Sequence, residues 1–106
     1  MELSFETRRL FNICRSSARA RKVLGPAAAE QLKERLADLR AAESLADLPN
    51  ILYRWDEHER EVAIKLGSKY VVRLQPNHVR LALNEDGSVC ADMIHRLKLV
   101  EIAEDG

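Results

Sequence analysis

The sequence predicts an α+β fold, in which a short N-terminal strand and a hairpin of two helices pack on a mainly antiparallel sheet of three to four strands. Apolar residues recur at helical spacing in residues 7–24 and 26–42, whereas residues 61–66 and 69–74 alternate at the spacing of strands. Gly67-Ser68 joins the two alternating runs as a hairpin turn. An apolar hairpin face must be covered by a second layer, and the preceding helices are the expected cover.

Length and composition indicate one soluble globular domain over residues 1–106. The 106 residues include 46% apolar and 32% charged side chains, with 17 basic and 17 acidic residues. The N-terminal residues lack the pattern of a secretory signal, and no apolar run approaches the roughly 20 residues that span a bilayer. We therefore expect a cytoplasmic protein without a membrane segment.

The basic residues are concentrated at the N-terminus. Residues 1–24 contain six cations and two acids, Glu2 and Glu6, which gives a balance of +4. The six cations are Arg8, Arg9, Arg15, Arg19, Arg21 and Lys22. A surface that faces phosphates and an ordinary solvated helix face both fit this pattern, and charge alone does not establish a nucleic-acid partner.

The first half of the chain reads as a strand followed by two helices. Residues 1–6 alternate as a short strand, and residues 7–24 form one helix with the arginines opposite its apolar side. Gly25-Pro26 ends that helix and begins the next, over residues 26–42. So short a connection predicts an antiparallel helical hairpin. The apolar stripe of the second helix is Leu32, Leu36 and Leu39.

The second half reads as turns and strands. We expect Ser44 to cap a short turn that ends near Leu48, and residues 51–55 to form a strand before a charged turn at residues 56–60. After the hairpin, residues 79–83 extend the sheet irregularly and residues 84–88 form a turn. Residues 94–102 are the last predicted strand.

Alternation in the hairpin predicts one apolar and one cationic face. The apolar face carries Val62, Ile64, Leu66, Tyr70, Val72 and Leu74, and the other carries Ala63, Lys65, Lys69, Val71 and Arg73. With Arg96 and Lys98 of the last strand, the cations of the second face would form a platform for a phosphate backbone. A solvated face whose lysines discourage edge pairing is the alternative. Tyr53 and Trp55 suit base stacking, although a core anchor is the commoner role of such a tryptophan.

Cysteines and histidines predict no metal site. We expect Cys14 and Cys90 to be free, buried thiols, with a disulfide as the alternative. His58, His78 and His95 lie far apart and have no metal-ligand spacing with either cysteine. The sequence therefore predicts neither a metal nor another cofactor.

Several short motifs follow the second predicted helix. They are Ser44-Leu-Ala-Asp-Leu-Pro-Asn50, Ile64-Lys-Leu66 with Tyr70, Gln75-Pro76, and Glu85-Asp-Gly-Ser-Val89 before Ile94-His-Arg-Leu-Lys-Leu-Val-Glu-Ile102. Together they resemble the RelE/ParE superfamily of bacterial toxins, and above all its HigB-like branch, the plasmid-maintenance killer proteins. The similarity covers nearly the whole chain and agrees with the predicted order of elements.

The resemblance implies a small cytoplasmic toxin that is held by a cognate antitoxin of the helix-turn-helix type, as a homodimer or within a toxin–antitoxin heterotetramer. Enzymes of the RelE and HigB kind enter the ribosomal A site and cut mRNA without a metal. A base activates the ribose 2′-OH, cations stabilise charge on the phosphate, and an acid protonates the leaving 5′-oxygen. The resemblance thus makes this chain an expected ribosome-dependent mRNA endonuclease.

The family's catalytic residues are only partly present. Val71 stands where the family has an arginine after Tyr70, and Arg73 lies two residues further on. The terminal Tyr-His pair of the family is missing, since the chain ends Ala103-Glu-Asp-Gly106. Glu104 and Asp105 could act as acid or base, although carboxylates repel a phosphate. By resemblance, the candidate catalytic residues are Arg73, His95 and Lys65, and the candidate RNA-binding residues are Lys69, Tyr70, Arg96 and Lys98.

These departures leave other functions open. A degenerate toxin would bind its antitoxin without cleaving RNA, and a ParE-like relative would inhibit gyrase. A generic α+β interaction module is a third alternative.

Overall fold

The computed structural model describes residues 1–78 and 83–105, and it confirms an α+β architecture. The described residues form three helices that pack on one five-stranded mixed sheet. The helices are α1 (Arg8–Arg15), α2 (Ser17–Leu24) and α3 (Pro26–Ala41), and the strands are β1 (Glu2–Phe5), β2 (Arg54–Asp56), β3 (Glu61–Leu66), β4 (Tyr70–Pro76) and β5 (Arg96–Glu104).

The sheet has the order β1-β5-β4-β3-β2. Strand β1 pairs with β5 in parallel, and the other neighbours are antiparallel. The four strands that follow the helices agree with the predicted three to four, and the N-terminal strand β1 joins the same sheet. The side-by-side placement of β1 and β5, the first and last strands, was not predicted.

The single helix predicted over residues 7–24 is wrong, because Ser16 divides it into α1 and α2. The backbone of Ser16 is extended (φ −124°, ψ 112°), and its hydroxyl accepts a hydrogen bond from the Arg19 N–H at 3.3 Å. Thr7 caps α1 in the same way, through the Leu10 N–H at 3.1 Å. Serine competes well for free N–H groups at a helix start and poorly for a place in a helix interior. The helical layer therefore has three parts.

Helix α3 confirms the second predicted helix to within one residue. Gly25 precedes it at φ +86°, a conformation that favours glycine, and Pro26 occupies the first turn. The predicted leucine stripe is buried in the core. Gln31 ties the helix to the β3–β4 turn, since its side-chain carbonyl accepts the Gly67 N–H at 2.6 Å.

The apolar face of the hairpin is confirmed by its register. Val62 lies opposite Leu74, Ile64 opposite Val72, and Leu66 opposite Tyr70. All of these side chains except Tyr70 are buried and join the core with the helices. The β3–β4 hairpin thus contributes one side of the hydrophobic core.

A bulge in β5 changes which residues face the core. Arg73 pairs with Glu101 and Leu74 with Leu99, so Val100 is the extra residue. Before the bulge, Leu97 and Leu99 are buried. After the bulge, the odd-numbered residues Glu101 and Ala103 face away from the helices, and Glu101 lies beside Arg73.

The strand predicted over residues 51–55 forms only at its end, where Arg54 and Trp55 lie in β2. Asn50–Leu52 is a single 3₁₀ turn, and Ile51 is 92% exposed within it. Strand β2 is only three residues long and pairs with residues 61–63 of the six-residue β3. The outer edge of β3 is therefore left without a strand partner over residues 64–66.

The remaining connections match the sequence in part. Ser44 precedes a 3₁₀ turn, Leu45–Asp47, but its side chain makes no capping hydrogen bond. The Leu45 N–H instead bonds the carbonyl of Ile94 at 3.0 Å. A turn does follow Asn84, where the Asp86 carboxylate accepts the Ser88 N–H. Of the predicted extension at residues 79–83, residues 79–82 lie outside the described residues.

Within residues 1–78 and 83–105, no helix is both long enough and apolar enough to cross a membrane.

Candidate functional site

The open face of the sheet, opposite the helices, carries the cations that the sequence singled out. Ala63 and Arg73 lie opposite each other on this face, as do Lys65 and Val71. On β5 the face carries Lys98 before the bulge and Glu101 after it. The predicted non-core face of the hairpin is thus confirmed, although Ala63 and Val71 are themselves only 5% exposed.

Each of the five predicted cations on this side of the sheet forms an ion pair with an acid of β1, β5 or the residues next to them. The pairs are Lys65 Nζ with Asp105 Oδ2 (3.6 Å), Lys69 Nζ with Glu104 Oε1 (3.6 Å), Arg73 Nε with Glu101 Oε1 (3.4 Å), Arg96 Nε with Glu2 Oε2 (2.9 Å) and Lys98 Nζ with Glu6 Oε2 (3.1 Å). We call this set the ion-pair ladder. The face therefore alternates in sign and is not the uniformly cationic platform that was expected.

The ladder is weak enough to exchange partners. Its side chains are between 29% and 77% exposed. Ion pairs this accessible to water contribute about 0–1 kcal/mol each. A phosphate can therefore replace a carboxylate at modest cost, but it must compete for every cation.

A cleft of about 610 Å³ opens where β2 ends and the edge of β3 is uncovered. Its lining residues come from α3, from the segment before β2, and from β3, β4 and the end of the chain. They are Gln31, Arg35, Ile51, Leu52, Tyr53, Arg54, Ala63, Lys65, Val71, Arg73 and Asp105. We call it the sheet cleft. It brings together two of the three candidate catalytic residues, Lys65 and Arg73.

Four cations line the sheet cleft, against one carboxylate, that of Asp105. Arg35 is held by acids of its own helix: its Nη2 lies 3.3 Å from Glu34 Oε2, and its Nε lies 3.3 Å from Asp38 Oδ2. Arg54 forms no ion pair with any described residue. It is therefore the least committed cation of the cleft.

Sequence reasoning missed Arg35 and Arg54 and gave Tyr53 only a stacking role. The alternation Tyr53-Arg54-Trp55 was a signal for Arg54, because it places the arginine on the opposite side of a strand from the two aromatic residues. The structure pairs Arg54 with Ala63, on the open face of the sheet. No comparable signal existed for Arg35, since its place depends on how α3 crosses the sheet edge.

His95 is not brought to the sheet cleft. It lies just before β5, six residues from Glu101, the partner of Arg73, and this corresponds to about 20 Å along a strand. Its Nδ1 is 3.2 Å from the Glu43 carbonyl, and its backbone N–H donates to His78 Nε2 at 3.1 Å. Desolvation lowers the pKa of His78, and Arg96 and His95 lower it further. The structure therefore gives these two histidines contacts that hold the start of β5.

The four candidate RNA-binding residues do not share one surface. Tyr70 lies on the core side of the hairpin, where its hydroxyl donates to the Val23 carbonyl of α2 at 3.5 Å. Lys69 is at the hairpin turn, and its Nζ is 5.6 Å from the Tyr70 ring centroid. Arg96 and Lys98 lie at the far end of the sheet beside β1. None of the four lines the sheet cleft.

Arg73 also borders an acidic depression of about 470 Å³. Its other lining residues are Asp56, Glu59, Glu61, Val100 and Glu101. Glu61 is only 6% exposed and accepts a hydrogen bond from Gln75 Nε2 at 3.3 Å. The pKa of Asp56 is lowered first by the Glu59 N–H, then by the His58 N–H and by Arg54 and Arg73. Arg73 therefore lines both the acidic depression and the sheet cleft.

Metal and thiol chemistry receive no support from the described residues. No group of three or more potential ligands among residues 1–78 and 83–105 is arranged to hold a metal ion. Cys14 and Cys90 are both free, as predicted, but partly exposed instead of buried. Burial raises the pKa of Cys14 to about 11, and a hydrogen bond to Asp92 raises that of Cys90. Neither thiol is poised as a nucleophile.

No protein-family model matches the chain, and no curated protein or solved structure shows significant similarity to it. The resemblance to RelE/ParE toxins therefore stays a prediction.

Proposed function

We propose that this protein is the toxin component of a bacterial toxin–antitoxin pair of the RelE/ParE, HigB-like kind, and that it acts on mRNA in the sheet cleft. The observation that supports this is the convergence of Arg35, Arg54, Lys65 and Arg73 on one cleft with a partly apolar lining. Such a cleft suits a phosphate with its flanking ribose. The expected setting is the cytoplasm, with a helix-turn-helix antitoxin as partner and the ribosome presenting the mRNA.

The lining residues suffice for a cleavage in which the RNA supplies the nucleophile. The 2′-oxygen attacks the adjacent phosphorus, a 2′,3′-cyclic phosphate forms, and the bond to the 5′-oxygen breaks. Asp105 takes the 2′-hydroxyl proton, and the Tyr53 phenol gives a proton to the departing 5′-oxygen. Arg54, Lys65 and Arg73 stabilise the negative charge on the non-bridging oxygens. No metal takes part in this scheme.

A translating extract tests the proposal. Purified protein should produce cuts in translated mRNA, which primer extension would map, and untranslated mRNA should stay intact. Arg54→Ala and Arg73→Ala should each slow cutting by tenfold or more, because each removes a cation from the charged transition state. Arg96→Ala is the matched control, since Arg96 belongs to the same sheet but lies outside the cleft. Intact mRNA with folded wild-type protein would refute the endonuclease.

A RelE-like protein that binds its antitoxin without cleaving RNA is the second candidate. The ion-pair ladder favours it, because the cleft cations Lys65 and Arg73 are both occupied by carboxylates. His95, the third candidate catalytic residue, lies outside the cleft. This candidate predicts tight capture of the protein encoded by the neighbouring gene and normal growth on induction without it. Growth arrest that the neighbouring gene relieves would contradict it.

A further inference from the structure

Helices α1 and α2 together carry a group of six cations that no described acid neutralises. All six cations of α1 and α2 are exposed, and none forms an ion pair with a described residue. No acid occurs between residues 8 and 24. This contrasts with the sheet, where the ion-pair ladder occupies every predicted cation.

Three of the six cations converge on one groove. Arg9 of α1 and Arg19 and Lys22 of α2 line a groove of about 380 Å³ together with Ile13 and Val23. On one straight helix, Arg9 and Lys22 would be about 20 Å apart along the axis. The break at Ser16 lets residues from both helices line the same groove. We call this the α1–α2 groove.

The groove cations are free to bind a ligand, unlike two of their neighbours. The guanidinium of Arg15 lies 5.5 Å from the centroid of the Phe11 ring, and Arg21 Nε donates to the Ser17 carbonyl at 3.4 Å. The side chains of the three groove cations make no hydrogen bond with any described residue. Their charge is therefore balanced only by solvent ions, which a polyanion releases on binding.

The groove fits a nucleic-acid backbone better than a protein surface. Protein interfaces are built around a buried apolar core, and the only exposed apolar side chain in this groove is Val23, at 41%. Arginine binds phosphate oxygens in a bidentate geometry, and repeated phosphates suit several cations in one groove.

We propose that the α1–α2 groove binds the phosphate backbone of duplex RNA, with Arg9, Arg19 and Lys22 each neutralising a phosphate. The choice of RNA over DNA rests on the proposed function, whereas the choice of a phosphate backbone rests on the groove. The duplex site lies apart from the sheet cleft, with which it shares no lining residue.

Fluorescence anisotropy with an RNA duplex of about 16 base pairs tests the proposal over a series of salt concentrations. The helix variant is Arg9→Gln/Arg19→Gln/Lys22→Gln. Each lost phosphate contact reduces the slope of log K against log salt by about 0.9, so the slope should fall by roughly 2–3. Affinity at low salt should fall at least tenfold. Circular dichroism checks that this variant and the control variant below fold, which we expect because the substituted side chains are exposed.

The matched control is Lys33→Gln/Arg40→Gln/Arg60→Gln, which removes the same charge from three exposed cations that line neither the groove nor the sheet cleft and form no ion pair with a described residue. It should bind the duplex with nearly the wild-type slope. Equal losses of duplex affinity in both variants, or wild-type affinity in the helix variant, would refute RNA binding at the α1–α2 groove. Tighter binding to a DNA duplex of equal length, or to polyglutamate of equal charge, would overturn duplex RNA as its ligand.

Failure of the proposed function gives a different result. If wild-type protein leaves mRNA intact in the extract but binds the RNA duplex through the three groove cations, the endonuclease is refuted and the groove stands. Arg73→Ala should lose cutting and keep duplex binding, because Arg73 lies outside the groove.

Discussion

The ion-pair ladder predicts that two conservative changes at the end of β5 will create an RNA-binding surface. Glu104→Gln and Asp105→Asn remove the acids that hold Lys69 and Lys65, each at 3.6 Å. These four side chains are 45–69% exposed, so each pair contributes below about 1 kcal/mol to stability. The double variant should therefore stay folded and expose two unpaired cations near the sheet cleft.

The size of the effect follows from counterion release. Two new phosphate contacts on single-stranded RNA steepen the slope of log K against log salt by about 1.4. Over a tenfold rise in salt, the affinity of the double variant should thus fall about 25-fold more than that of the wild type. Fluorescence anisotropy with a short labelled single strand measures both slopes.

A charge-matched control separates the ladder from net charge. Glu57→Gln/Glu85→Gln also removes two acids, and both residues are exposed and form no ion pair with a described residue. This control should keep nearly the wild-type slope. If both double variants have the same slope, local release of Lys65 and Lys69 is not the cause, and the reasoning fails.

Three further predictions concern stability. His78 Nε2 accepts hydrogen bonds from two backbone N–H groups at the start of β5, and the pKa of His78 is lowered in the folded protein. The neutral imidazole therefore contributes stability that is fully present above the unfolded pKa of about 6.5, and this stability should be lost as the pH falls through the folded pKa. His78→Gln should reduce this acid sensitivity in thermal unfolding and the control His58→Gln should not; equal pH profiles would contradict the assignment. Gly67→Ala should lower the free energy of unfolding in urea by about 1–2 kcal/mol, because Gly67 has φ +65°, a conformation that is strained for alanine. An added Cβ meets nothing within 4 Å, so the backbone strain is the whole cost, and an unchanged midpoint would show that the turn relaxes. Ser16→Ala should cost about 1 kcal/mol and weaken duplex binding, because it removes the cap that separates α1 from α2; loss of stability without loss of binding would separate the cap from the groove.

The hairpin and α3 were predictable because local periodicity determines them. Alternation over residues 61–66 and 69–74 admits one register that buries a complete face, and that register is the observed one. The leucine stripe of α3 likewise permits one buried side. In both cases the residues that decide the structure are close in the sequence.

The sheet cleft and the ion-pair ladder were not predictable in the same way. Arg96 meets Glu2 only because β1 and β5 pair in parallel, and these two residues are far apart in the sequence. Arg35 reaches the cleft only because α3 crosses the uncovered edge of β3. Ser16 is a local signal, but an isolated serine within an apolar helical pattern does not by itself show that the helix breaks.

Pairing of the two chain ends decides where the protein's positive charge remains. The formal net charge is zero, which alone would argue against a polyanion ligand. However, the acids next to and within β1 and β5 lie beside the sheet cations and neutralise them, while α1 and α2 have no acid of their own. Charge that is neutral in sum is therefore segregated in space, with a balanced sheet and a basic helical surface. The acids responsible are Glu2, Glu6, Glu101, Glu104 and Asp105. An RNA ligand would consequently gain most of its electrostatic free energy at the α1–α2 groove, and the sheet cleft would supply position and chemistry.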